Sequence, residues 1–158
     1  MTFNGEYQHG IDDKGRLIMP ARFRDALGLR YIICKGMESC LFVYTLEEWG
    51  RLEEKLNSLS VFNRRTRDFK RRFFSGSSEC ETDRQGRINI NQELRSYAHL
   101  EKEVYVIGAG DHLEIWPPGT ATVTVWTTIT KLWPRSSFND RILPPAGTAG
   151  RSPGPFGA

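Results

Sequence analysis

Asp12-Asp13-Lys14-Gly15-Arg16-Leu17 and Asp83-Arg84-Gln85-Gly86-Arg87-Ile88 decide the fold, because they are one segment written twice, 71 positions apart. At that offset Phe23 falls on Leu94, Arg24 on Arg95 and Leu29 on Leu100, and upstream Phe3 and Gly5 meet Phe74 and Gly76. One inserted residue then shifts the offset to 72, and Leu41-Phe42-Val43-Tyr44 meets Leu113-Glu114-Ile115-Trp116. The chain therefore holds two copies of a unit of about 45 residues, and a unit so small cannot bury a core alone. The copies are expected to complete each other by mutual strand exchange, within one chain or between chains.

Working outward from the first Asp-x-x-Gly-Arg segment, Glu6 to Ile11 reads as a strand, Asp12 to Gly15 as a turn and Arg16 to Met19 as a second strand. Pro20 suits the first turn of a short helix over Ala21 to Leu27, and Gly28 suits its stop. Tyr31 to Cys34 and Leu41 to Tyr44 are apolar, β-prone runs around a hairpin turn at Lys35 to Glu38. Copy two repeats the order through Glu79 to Thr82, Arg87 to Ile90, Gln92 to Tyr97, Val104 to Ile107 and Leu113 to Trp116, with Asn91 as helix cap.

Between the copies, Thr45-Leu46-Glu47-Glu48 is a capping box opening a helix whose Leu46, Trp49, Leu52, Leu56 and Leu59 form one apolar stripe. A second helix is predicted from about Asn63 to Phe73, with Phe62, Phe69 and Phe73 on a common side. The fold class is mainly β with short helices (α+β). Module one spans 1–45, the connecting helices 46–73, module two 74–116, and 117–158 is an atypical tail expected to be disordered. Within it, Thr120 to Trp133 is rich enough in β-branched residues to add a loose strand.

Charge narrows the partners less than the net +3 suggests. The tail holds Lys131, Arg135, Arg141 and Arg151 against Asp140, so the first 116 residues keep 18 basic and 18 acidic side chains. A nucleic-acid partner must then be argued from where charges cluster. No run of apolar residues approaches the ~18 that a membrane helix needs, and the N-terminus carries no basic-then-apolar leader, so a cytoplasmic protein without membrane contact is expected. Cys34, Cys40 and Cys80 are odd in number and form no CxxC pair, which suits reduced thiols rather than a disulfide framework or a zinc site.

The repeated turn has its own chemistry. Gly15 can take positive φ, and Asp12 can hold Arg16 or a turn N–H and so fix the guanidinium's direction, as bidentate contact with guanine O6 and N7 requires. One such turn alone reads more naturally as an ordinary salt-bridged reversal. Its duplication at Asp83, Gly86 and Arg87, with Lys14 and Arg84 nearby, favours contact with double-stranded DNA carrying repeated sites. Arg22, Arg24 and Arg95 can touch phosphates or simply form a solvated helix face. The Arg64 to Arg72 run invites a nucleic-acid reading, yet Glu47, Glu48, Glu53 and Glu54 offer it pairing between helices or subunits. Trp49 and the phenylalanines fit a core or interface better than base stacking. His9, His99 and His112 are scattered singly, with no metal-ligand spacing, nucleophile signature or phosphate loop. An enzyme is not indicated, nor a cofactor or a small-molecule substrate.

Phe3-Asn4-Gly5-Glu6-Tyr7, Ile11 to Arg16, Pro20-Ala21-Arg22-Phe23-Arg24, Cys40 to Tyr44, Arg72-Phe73-Phe74-Ser75-Gly76 and Asp83 to Arg87 resemble the MraZ family throughout residues 1 to about 116. The resemblance implies tandem AbrB-like swapped-hairpin β-barrel modules, a homo-oligomeric ring, and a nucleoid-associated regulator binding short repeated boxes upstream of division and cell-wall genes. It places DNA-reading turns on Asp12 with Arg16 and Asp83 with Arg87, and carries over no catalytic residue. The chain departs from the family after Trp116, where a charged helix gives way to Pro117-Pro118-Gly119 and then Thr-, Pro- and Gly-rich sequence like that of another reading frame. An antitoxin-like DNA-binding and protein-interaction module is the alternative of related chemistry, with the duplication against it and the tail for it.

Overall fold

The computed structural model describes residues 2–119, and the expectations for the tail beyond Gly119 lie outside the described residues. Copy one runs β1 (Glu6–Gly10), β2 (Arg16–Ile18), α1 (Ala21–Leu27), β3 (Arg30–Lys35) and β4 (Leu41–Thr45). Two helices follow, α2 (Leu46–Asn57) and α3 (Arg64–Ser75), and copy two repeats the order as β5 (Ser77–Glu81), β6 (Arg87–Asn89), α4 (Gln92–Tyr97), β7 (Glu103–Gly108) and β8 (Leu113–Trp116).

The exchange takes place within the chain. Six strands form one antiparallel sheet in the order β1-β7-β8-β4-β3-β5, and β2 pairs with β6 as a separate two-stranded ribbon. The first strand of each copy thus lies against the third strand of the other. The registers repeat as well. Glu6 faces Ile107 as Ser77 faces Cys34, Ile33 faces Val43 as Val106 faces Ile115, and the central β4–β8 pairing maps onto itself. These pairings are those of a pseudo-two-fold between the copies. The modules do not stand as two independent barrels, because each takes a strand from its twin.

The main core fills the space between the ribbon and one face of the sheet. Leu17, Met19, Phe23, Ile33, Leu41 and Val43 from copy one meet Ile88, Ile90, Leu94, Val106, Leu113 and Ile115 from copy two. On the other face of β3 and β4, Ile32, Cys34 and Tyr44 pack against Trp49, Leu56 and Phe73 of the helical pair. Trp49 and Phe73 stack with centroids 5.5 Å apart, so these aromatics are core, as expected. Burial on both faces explains why Tyr31-Ile32-Ile33-Cys34 reads as a continuous apolar run rather than an alternating one.

Helix ends follow the sequence signals with three corrections. Asn91 caps α4 by accepting from the N–H of Leu94, and Thr45 caps α2 by accepting from that of Glu48. Pro20 sits at the cap of α1 rather than inside its first turn. The Glu48 carboxylate accepts from Arg51 instead of closing the capping box. Leu59 and Phe62 leave their expected stripes, because α2 ends at Asn57 and α3 begins at Arg64; both lie in the connecting turn, Phe62 with 92% of its surface exposed. The left-handed positions after α1 and α4 are Gly28 at φ 79° and its repeat-mate His99 at φ 54°.

Candidate nucleic-acid interface

Each Asp-x-x-Gly-Arg segment forms the same turn. The N–H of Asp12 donates to the carbonyl of Arg16 at 3.0 Å and that of Gly15 to the carbonyl of Asp12 at 3.0 Å; at the second turn the matching distances are 2.9 and 3.0 Å. Oδ1 of Asp12 accepts from the N–H groups of Lys14 and Arg16, both at 2.9 Å, and Oδ2 accepts from Arg16 Nε at 2.7 Å. Asp83 does the same for Gln85 and Arg87, with the Nε contact at 2.6 Å.

Both oxygens of each carboxylate are engaged. The backbone N–H of Arg16 holds the Asp12 carboxyl below its ordinary value, opposed by desolvation and reinforced by the guanidinium; Arg87 acts on Asp83 in the same order. Exposed ion pairs of this kind add little stability, so their effect is geometric. With Nε committed to the carboxylate, the terminal Nη groups of Arg16 and Arg87 make no hydrogen bond to the described residues.

The ribbon sets where the two guanidiniums stand. Leu17 faces Ile88 across it, and both are wholly buried, so alternation sends Arg16, Ile18, Arg87 and Asn89 to the outer face. Arg16 lies opposite Asn89 and Arg87 opposite Ile18. The arginines are therefore diagonal neighbours, with backbones about 7–8 Å apart. Ile18 remains half exposed on the same face.

Ten residues were candidates from sequence. The structure brings Asp12, Gly15, Arg16, Asp83, Gly86 and Arg87 together at the two ends of the ribbon, with Lys14 and Arg84 exposed in the turns. Arg24 lies at the second turn, where a β-carbon built on Gly86 would sit 2.5 Å from its Nε. Arg22 is not at either turn; its Nη2 donates to Asn4 Oδ1 at 2.6 Å and its Nη1 to the Tyr7 hydroxyl at 3.4 Å. Sequence reasoning missed Ile18 and Asn89 as surface neighbours of the arginines, although the alternation Arg-x-Ile and Arg-x-Asn carried that signal. Arg95, weighed as a phosphate contact or as part of a solvated helix face, packs on the Gly15 turn.

The expected pairing between helices is absent. Glu47 and Glu48 take Arg51, Glu53 accepts from Trp49 Nε1, and Asp68 takes Arg64 and Arg71, so among the described residues no ion pair joins α3 to α2. The arginine face of α3 is open to solvent over most of its length. Among the described residues no group of His, Cys, Asp and Glu side chains is placed to hold a metal ion, and no helix is long and apolar enough to cross a membrane.

Comparison with known proteins agrees with the duplication. The sequence pattern of the family described as MraZ protein, antitoxin-like, matches residues 2–72 and again 73–121. A protein of Alkaliphilus metalliredigens named transcriptional regulator MraZ is 58% identical over 114 residues, covering 72% of this chain and 80% of that protein. Proteins of the same name from Heliobacterium modesticaldum and Moorella thermoacetica are 57% and 55% identical over the same length and with the same coverage. With both halves matched and more than half of the aligned positions identical, the chain belongs to the MraZ family.

Proposed function

We propose that the chain is a sequence-specific, DNA-binding transcriptional regulator that lays the β2–β6 ribbon in the major groove. Arg16 and Arg87 then meet base edges while Lys14 and Arg84 meet phosphates. The observation that carries this reading is the pair of carboxylate-held guanidiniums on the outer face of one ribbon. A two-stranded ribbon fits the major groove, and a guanidinium with its Nη groups free is matched to guanine O6 and N7. The names of the relatives support the regulatory role.

One chain offers two reading arginines, which is too little for useful affinity. Repeated short boxes, which we place upstream of division and cell-wall genes, engaged together by a homo-oligomeric ring supply the rest through effective concentration. The exposed Leu59, Val61 and Phe62 at the α2–α3 turn support association between copies. Such a regulator works in the cytoplasm at the nucleoid. Residues 1–45 and 74–116 are its two modules, and 46–73 their connection.

The test is fluorescence anisotropy with duplex from upstream of the chain's own gene, competed by unrelated duplex at fixed salt. Specific binding survives an excess of unrelated competitor; equal competition by both duplexes leaves only non-specific affinity and ends the reading. The antitoxin-like alternative, favoured by the family's description, requires in addition a small toxin that co-purifies with the chain.

A further inference from the structure

We propose that Arg24 and Arg95 are crossed positioning residues, each setting the reading turn of the other copy. The inference rests on the reading that these turns contact DNA. Arg24 belongs to α1 of copy one, yet its side chain covers Gly86 of copy two. A β-carbon on Gly86 would lie 2.5 Å from Arg24 Nε and 2.6 Å from its Cζ. Arg95 belongs to α4 of copy two and covers Gly15 of copy one, where a β-carbon would lie 2.9 Å from both its Cζ and its Nε. Both glycines have positive φ, 80° at Gly15 and 75° at Gly86, so each turn presents a bare backbone surface for the guanidinium to lie on.

Backbone bonds tie each turn to the other copy. At the second turn, Met19 N–H donates to the Gly86 carbonyl at 3.2 Å, and the Met19 carbonyl accepts from Arg24 Nη2 at 3.1 Å. At the first, Ile90 N–H donates to the Gly15 carbonyl at 2.8 Å. Arg24 and Arg95 share another property. The Nε of each is buried without a hydrogen-bond partner. A group meant to reach phosphate would keep its N–H groups in solvent, whereas these give up a hydrogen bond in order to pack. Arg87 follows Gly86 directly, and Arg16 follows Gly15. Whatever fixes the glycine's peptide therefore fixes the base of the reading side chain, and in each case the brace comes from the other copy.

The test is a pair of double-mutant cycles on the full chain, read by anisotropy with the upstream duplex, after confirming an unchanged oligomer. Arg24→Gln should weaken binding roughly tenfold alone, keep that effect in the Arg16→Ala background, and lose most of it in the Arg87→Ala background. Arg95→Gln should show the reverse pattern. Arg24→Lys should not rescue, because an ammonium has no planar face to lay on the turn. A DNA-free readout accompanies these. By NMR, Arg24→Gln should speed hydrogen exchange at Arg87 Nε and leave Arg16 Nε unchanged, which also serves if a variant is too unstable for titration. Additive effects in the crossed pairs, full rescue by lysine, or uncrossed exchange changes would overturn the proposal, lysine rescue pointing to a phosphate contact instead. If exchange shows the crossed pattern while Arg16→Ala and Arg87→Ala bind DNA normally, the brace stands and the DNA-reading role of the turns falls.

Discussion

Leu17 and Ile88 pair with each other at the centre of the β2–β6 ribbon, each with no exposed surface, at the point where the two copies map onto one another. This contact thus ties both Asp-x-x-Gly-Arg turns to the core. Truncating Leu17 to Ala should cost about 2–5 kcal/mol, because the site is closed on all sides and can collapse only partly. Thermal or urea unfolding measures it; a loss below about 0.5 kcal/mol, usual for surface positions, would mean that the ribbon is not held this way.

Gly15 and Gly86 combine positive φ with close neighbours, whereas Gly110 has φ 90° and nothing within 4 Å of a built β-carbon. Gly110→Ala should therefore cost only the left-handed strain, roughly 1–2 kcal/mol. Gly15→Ala adds a clash with the Ile90 carbonyl 2.6 Å away, a backbone atom that cannot swing aside. Its melting temperature should fall further than that of Gly110→Ala, and equal melting temperatures would contradict the close approach.

His112 supplies a pH signature. Burial lowers its tendency to protonate, but Glu114, 3.2 Å from Nε2, and Asp111, 2.6 Å from Nδ1, outweigh that and raise its pKa above the ordinary value of 6.5. A group whose pKa is raised on folding contributes stability that is fully present below its unfolded pKa and lost as pH rises through the folded one. The stability difference between wild type and His112→Gln should be largest below about pH 6 and shrink on the alkaline side. A difference that grows with pH would reverse the assignment.

Phe62 is nearly all exposed and its neighbour Val61 more than half. Phe62→Ser should leave unfolding free energy within about 0.5 kcal/mol, since little is lost from the core. If the turn joins copies, light scattering should show a smaller assembly at equal concentration. An unchanged mass would remove Phe62 from any interface.

The repeat made most of this legible in advance. Asp12 to Arg16 on Asp83 to Arg87 located both turns, and α1, α4 and β8 have the ends read from sequence. The strand exchange was foreseen as a need of small units, but the choice between exchange within one chain and exchange between chains was left open, because local pattern carries no pairing partner. Arg22 and Arg24 stand two apart on one short helix and were indistinguishable in sequence. The fold sends one to Asn4 and the other to Gly86. Phe62 was misread for a related reason: helical spacing continues through a turn in sequence even where the backbone does not.

The most direct test of the central claim is the ratio of affinities for the upstream duplex and a scrambled duplex, at two salt concentrations, for wild type and the Arg16→Ala, Arg87→Ala double variant. Base contacts of this type are worth about 1–3 kcal/mol each in discrimination, so the double variant should retain non-specific, salt-dependent binding while its ratio collapses toward one. Undiminished discrimination by a correctly assembled double variant would mean that the turns are structural and that sequence is read elsewhere, with the open arginine face of α3 the first surface to examine.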